Sequence, residues 1–132
     1  PHFASFVLLE TEAGRARLAR YFAEHIRLAL DAGTGIVLET PTWRANPDWG
    51  ARLGYDAARL AAVNRAAVAQ LAELRAAMQT PASPIVISGN LGPRGDGYRA
   101  DARMTADEAC AYHAPQVEAF AGSEADLVSV FT

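Results

Sequence analysis

The side chains best equipped for chemistry in this sequence are three histidines, one cysteine, two tryptophans and the residues of a glycine-rich stretch. His25 and His113 each fall inside a predicted helix and His2 lies near the start, so no pair has the i, i+4 spacing of a helical metal site. They read as partly buried histidines bonded to nearby backbone. Cys110, on the alanine-rich side of a predicted helix, reads as a small apolar filler. No Ser-His-Asp or paired-carboxylate arrangement can be argued from spacing. The stretch Gly89–Gly97 places backbone amides where they can cradle an anion, but no Gly-Lys-Ser or Gly-Lys-Thr follows and the next helix starts too late for a dinucleotide fingerprint. It reads as a loop shaping a pocket rim. Trp43 and Trp49 follow the carboxyl end of a predicted strand, where parallel-sheet proteins bind ligands. Trp43 is either an aromatic wall for a substrate or a plug on the core, and Trp49 reads as plain packing.

The elements that position these residues follow from periodicity. Between Thr11 and Ala32, Leu18, Tyr21, Phe22, Ile26, Leu28 and Leu30 recur at helical spacings among charged residues, and Gly33 can end that helix in a left-handed conformation. Gly35–Glu39 is a buried strand. Thr40 to Tyr55, with two prolines and both tryptophans, is an irregular connection with one short helical turn around Trp49. Asp56 caps a long helix running to about Met78. Ile85–Ser88 is a second buried strand, and Thr105 and Glu108 have the spacing of a capping box that opens a third helix reaching about Ala121. Asp126–Thr132 is a third strand. Both faces of each strand are read as apolar, and strands alternating with helices make a parallel sheet with helical crossovers, either a doubly wound open sheet or a barrel.

Composition narrows the function classes. A hydrophobic fraction of 51% with 20% charged residues is that of a soluble globular domain, and a net charge of -3 without charge blocks favours neither nucleic acid nor an anionic membrane. A single cysteine excludes an internal disulfide framework and any multi-cysteine metal site within these residues, and makes the cytoplasm the default compartment. No apolar run approaches the roughly 18 residues of a membrane span. The opening Pro1-His2-Phe3 lacks both Met and signal-peptide features, so the natural start is expected upstream.

The strand ends resemble those of the homocysteine S-methyltransferase family. Ala32-Gly33-Thr34-Gly35-Ile36-Val37-Leu38-Glu39-Thr40-Pro41-Thr42-Trp43-Arg44-Ala45-Asn46 is similar to that family's second strand, in which an Ala-Gly turn leads into an apolar strand ending Thr-x-Thr-aromatic. Ile87-Ser88-Gly89-Asn90-Leu91-Gly92-Pro93 resembles its third strand. The helix carrying Tyr112-His113 and Gln116-Val117, then Ala125-Asp126-Leu127-Val128 leading to Phe131-Thr132, resembles its next helix and fourth strand.

The resemblance implies an α/β fold, an incomplete TIM-type (β/α)8 barrel in which residues 1–132 form one partial domain holding strands two to four. The family's first strand, with its Asp-Gly-Gly signature, is expected before Pro1. Family members move a methyl group from a sulfonium or ammonium donor to the sulfur of homocysteine, with zinc on three cysteines supplying the thiolate near neutral pH. Those cysteines come late in the family's sequence and Cys110 matches none of them, so the resemblance implies neither catalytic residues nor metal ligands here. By position it implies substrate-binding roles for Thr40, Thr42, Trp43, Asn90, Gly92 and Thr132 at the barrel mouth. The partners implied are a small-molecule thiol and a methyl donor, and unpaired strand edges leave homo-oligomers open. Two other readings are a non-catalytic assembly or small-molecule-binding α/β module, and a small doubly wound domain binding a nucleotide at Asn90–Gly97.

Overall fold

The computed structural model describes residues 3–95 and 103–131. A short 3-10 helix (Ser5–Glu10) leads into α1 (Glu12–Ala32), followed by β1 (Ile36–Glu39), α2 (Pro47–Arg52), α3 (Ala57–Met78), β2 (Ile85–Leu91), α4 (Ala106–Ala121) and β3 (Leu127–Val130). The three strands form one sheet in the order β1-β2-β3 with both pairings parallel. Parallel neighbours need long crossovers, and α3 and α4 supply them. A closed barrel is not formed by the described residues.

Local chemistry sets the helix boundaries. Thr11 accepts the Gly14 amide at 3.0 Å, Asp56 accepts the Arg59 amide at 2.8 Å, and Thr105 and Glu108 bond reciprocally, so each long helix has at least one of its exposed first-turn donors met by a side chain. α1 stops at Gly33, whose φ of 64° lets its amide turn back to the carbonyls of Ala29 and Leu30. Of the apolar residues read as the inward face of α1, Leu18, Phe22 and Ile26 are buried, whereas Tyr21 is 54% exposed and Leu28 66% exposed. The core-facing stripe is narrower than the sequence pattern, because α1 rests on the sheet, on α3 and on the 3-10 helix along one side alone.

Register divides the sheet into two unlike faces. Ile36 pairs with Ile85 and Leu38 with Ile87, and these residues join Leu91 in the core beneath the helices. On the other face lie Val37, Glu39, Val86, Ser88, Asn90, Leu127 and Ser129, apolar and polar residues mixed, with Glu39 and Leu127 flanking Ser88 and Asn90 opposite Ser129. The expectation that both faces of each strand are apolar is therefore corrected. Period-two alternation was obscured because short runs such as Ile36-Val37-Leu38 place valine on the mixed side. β2 also outruns its predicted end at Ser88. Gly89, Asn90 and Leu91 continue the strand because β3 offers partners to all three, and the absence of a side chain at Gly89 admits the Phe120 ring, which a Cβ would meet at 2.5 Å.

Candidate functional site

The carboxyl end of β1 is fastened to β2 by two threonines. Thr40 Oγ1 accepts the Asn90 amide at 2.8 Å, Thr42 Oγ1 donates to the Asn90 carbonyl at 2.8 Å, and the two hydroxyls bond each other at 2.7 Å. Both side chains are buried. Thr42 donates outward, so the shared proton in that pair comes from Thr40. A hydroxyl is suited to this junction because it donates and accepts at one atom, closing both backbone groups of Asn90.

Trp43 lies on this fastening and reaches the far edge of the sheet, where its indole Nε1 donates to the Phe131 carbonyl at 3.0 Å. Gly92 makes the crossing possible. A Cβ there would run into the Trp43 carbonyl and stand 2.8 Å from the indole ring. Trp43, Asn90 and Gly92 are thus brought together with Thr40 and Thr42, while Thr132 lies outside the described residues, as do Asp96 and Gly97 of the glycine-rich stretch. Trp49 is half-buried with the Arg44 guanidinium 4.0 Å from its ring centroid and Arg52 at 4.7 Å on the same ring. Its surroundings include stacked cations as well as packing.

Four residues at the site, Glu39, Asn64, Gln116 and Asp48, were not among the candidate site residues read from the sequence. Glu39 and Asn90 both line a cavity of about 570 Å³ beside β1, and Glu39 Oε2 and Asn90 Oδ1 are buried without a partner among the described residues. An acceptor left that way costs on the order of 1–3 kcal/mol unless something donates to it. Beneath the loop, Asn64 and Gln116 are buried and bonded to its carbonyls, with Gln116 Nε2 3.0 Å from the Thr42 carbonyl and Asn64 Nδ2 3.1 Å from that of Ala45. Each gave one signal, a polar residue on an apolar strand or helix face. Asp48 is the fourth. Arg94 Nε approaches Asp48 Oδ2 at 3.5 Å and the guanidinium lies 5.6 Å from the Tyr112 ring centroid, joining α2, α4 and the turn after β2. Burial first, then the Asp48 carboxylate, pushes the Tyr112 phenol up to about 12.

The remaining candidates are dispersed. Cys110 is exposed on α4, not packed as a filler, because α4 turns Gln116, Ala119 and Phe120 inward and Cys110 falls on another side. His25 Nδ1 is 2.8 Å from the Tyr21 carbonyl at an exposed position. His113 is half-buried, its Nδ1 has no partner among the described residues, and burial lowers its pKa from 6.5. His2 lies outside the described residues. Among the described residues no three His, Cys, Asp or Glu side chains could hold a metal ion together, so they do not fit the zinc that the resemblance implies. No helix among them is long and apolar enough to cross a membrane.

Residues 15–132 match the family model described as homocysteine S-methyltransferase. Two solved structures are similar, both of the homocysteine methyltransferase MmuM from Escherichia coli. The metallated form is 25% identical with a TM-score of 0.69 over 89% of this chain and 45% of that chain. The oxidized form is 28% identical with a TM-score of 0.65 over 86% and 43%. The chain thus spans less than half the length of either. No curated protein matches it.

Proposed function

Since this chain belongs to the homocysteine S-methyltransferase family, we propose that it is part of a barrel enzyme that moves a methyl group from a small onium donor to the thiol of homocysteine or a similar thiol, and that its strand ends form one sector of the substrate pocket. The observation that carries this reading is the strand-end rim itself: Trp43 crosses from the loop after β1, past Gly92, to Phe131 just beyond β3, and on β1 and β2 the Glu39 and Asn90 side chains hold acceptors unmatched among the described residues.

On this reading Trp43, Asn90 and Gly92 face the substrate while Thr40 and Thr42 hold the strand end that presents them. A thiol amino acid carries N–H donors, and the Asn90 and Glu39 oxygens are suited to receive such donors without exposing them to bulk water. The indole supplies an apolar, water-excluding surface, favourable for a reaction in which a sulfur attacks a methyl carbon and an onium charge disappears. Zinc would activate the thiol in the parent family, and among the described residues no group of three His, Cys, Asp or Glu side chains could hold it. We therefore place thiol activation outside this segment, which would orient substrate and be inactive alone.

The test is methyl transfer to homocysteine from a sulfonium donor, followed as methionine formation by the protein carrying the complete barrel. Turnover there and none from residues 1–132 alone is the expected result. Turnover by the short chain, or a complete protein indifferent to Trp43→Ala, overturns the proposal.

A further inference from the structure

Thr42, Trp43, Arg44 and Ala45 make a turn closed by the Ala45 amide donating to the Thr42 carbonyl at 2.8 Å. Trp43 and Arg44 are its central residues, so the direction in which they project follows from how the two ends are held. Both end carbonyls are gripped from beneath. Gln116 Nε2 on α4 donates to the Thr42 carbonyl at 3.0 Å, and Asn64 Nδ2 on α3 donates to the Ala45 carbonyl at 3.1 Å. The grips are joined, because Gln116 Nε2 also donates to Asn64 Oδ1 at 3.0 Å, and Asn64 Nδ2 is anchored to the Leu60 carbonyl of its own helix at 2.9 Å.

This pair is 1% and 4% exposed, in a place where leucine or methionine would fill the same volume without needing partners. The sense of the Gln116 amide is fixed by its surroundings, since a flip would set its oxygen against two oxygens. That sense leaves Gln116 Oε1 buried with no partner among the described residues, an arrangement that favours loop geometry over local satisfaction.

We infer that Asn64 and Gln116 are positioning residues, a two-amide clamp that holds the Thr42–Ala45 turn at both ends and so sets where the Trp43 indole stands at the strand ends. Neither touches the proposed substrate. Their effect on catalysis rests on the substrate-facing role of Trp43 given above, whereas their effect on the indole does not.

The experiment uses the protein with its complete barrel and three variants: Gln116→Met, which keeps volume and loses the donors; Asn64→Asp, which keeps the acceptor for Gln116 and loses the donors to Ala45 and Leu60; and Leu71→Val, a buried change on α3 away from the clamp. The readouts are the Trp43 indole 15N–1H resonance, assigned by its loss in Trp43→Phe, and kcat and KM for homocysteine. Both clamp variants are expected to displace the resonance and raise KM about five- to tenfold with kcat within about twofold, and Leu71→Val to change neither. An unmoved resonance in both clamp variants, or an equal displacement in Leu71→Val, overturns the inference; a displaced resonance with an unchanged KM keeps the clamp and sinks the substrate-facing role of Trp43 instead. Should Gln116→Met fail to fold, Asn64→Asp decides alone. Absence of turnover in the unsubstituted protein sinks the proposed function instead, and the indole resonance then decides the positioning by itself.

Discussion

Trp43 and Phe131 stand 88 positions apart in sequence, yet the indole of one donates to the carbonyl of the other at 3.0 Å. This bond ties the loop leaving β1 to the end of β3, across the whole width of the sheet. Replacing Trp43 by Phe keeps a ring and removes the donor. The expected loss is about 0.5–1 kcal/mol, at the low end for a hydrogen bond because the Phe131 carbonyl can turn to water. Urea denaturation of the two proteins measures it, and no loss would mean that the bond does not hold the rim.

Gly92→Ala tests the closeness of that crossing. A Cβ at 2.8 Å from the indole and against the Trp43 carbonyl has no flexible neighbour to yield, so backbone must shift. A destabilisation of about 1–3 kcal/mol is expected, as for overpacking in a filled site. Trp43→Ala should recover little of it, since the backbone carbonyl remains. Equal stability of Gly92→Ala and the parent would show that the rim has slack.

Much of the fold was legible because its signals are local. Asp56 and Thr105 each announce a helix start within three residues of the group they cap, and Ile85-Val86-Ile87 announces a strand. The Thr-x-Thr-Trp run also marked the end of β1, where Thr40 and Thr42 fasten it to β2. What could not be read are relations across the fold. Glu39 sits at the end of an apolar strand, and its facing Ser88 depends on register; Asn64 and Gln116 meet over 52 residues, and nothing local to either names the other. The reading of Cys110 as a filler failed for the opposite reason, since an alanine-rich helix shows no contrast between its sides.

Asp126 closes the sheet just before β3. Its Oδ2 accepts the Ile87 amide at 2.8 Å and also the Arg75 guanidinium at 2.8 Å, joining β2, α3 and the entry to β3. Asp126→Asn retains one acceptor at most and loses the charge on it. A loss of about 1–2 kcal/mol is expected from weakening a charge-assisted bond, discounted because the carboxylate is partly exposed. The same substitution in an Arg75→Met background should cost less, and full additivity of the two changes would exclude coupling.

His113 gives the chain a pH dependence with a definite sign. Burial disfavours its charged form, so the folded protein takes up the proton at a pH below the ordinary 6.5 at which the unfolded chain does. Stability contributed by the neutral ring is complete above 6.5 and is lost as pH falls through that value toward the folded pKa. Urea unfolding at pH 7.5 and 5.5 should show a smaller difference for His113→Leu than for the parent. An identical pH difference in both would show that His113 carries no such linkage.

The two tryptophans of this chain, Trp43 and Trp49, both belong to the segment between β1 and α3. Emission excited at wavelengths that tyrosine does not absorb is therefore an optical record of that segment alone within these residues. With arginine guanidinium groups stacked on Trp49, a shift or quench on mixing with a small thiol would test the proposed binding beside that segment without any attached dye.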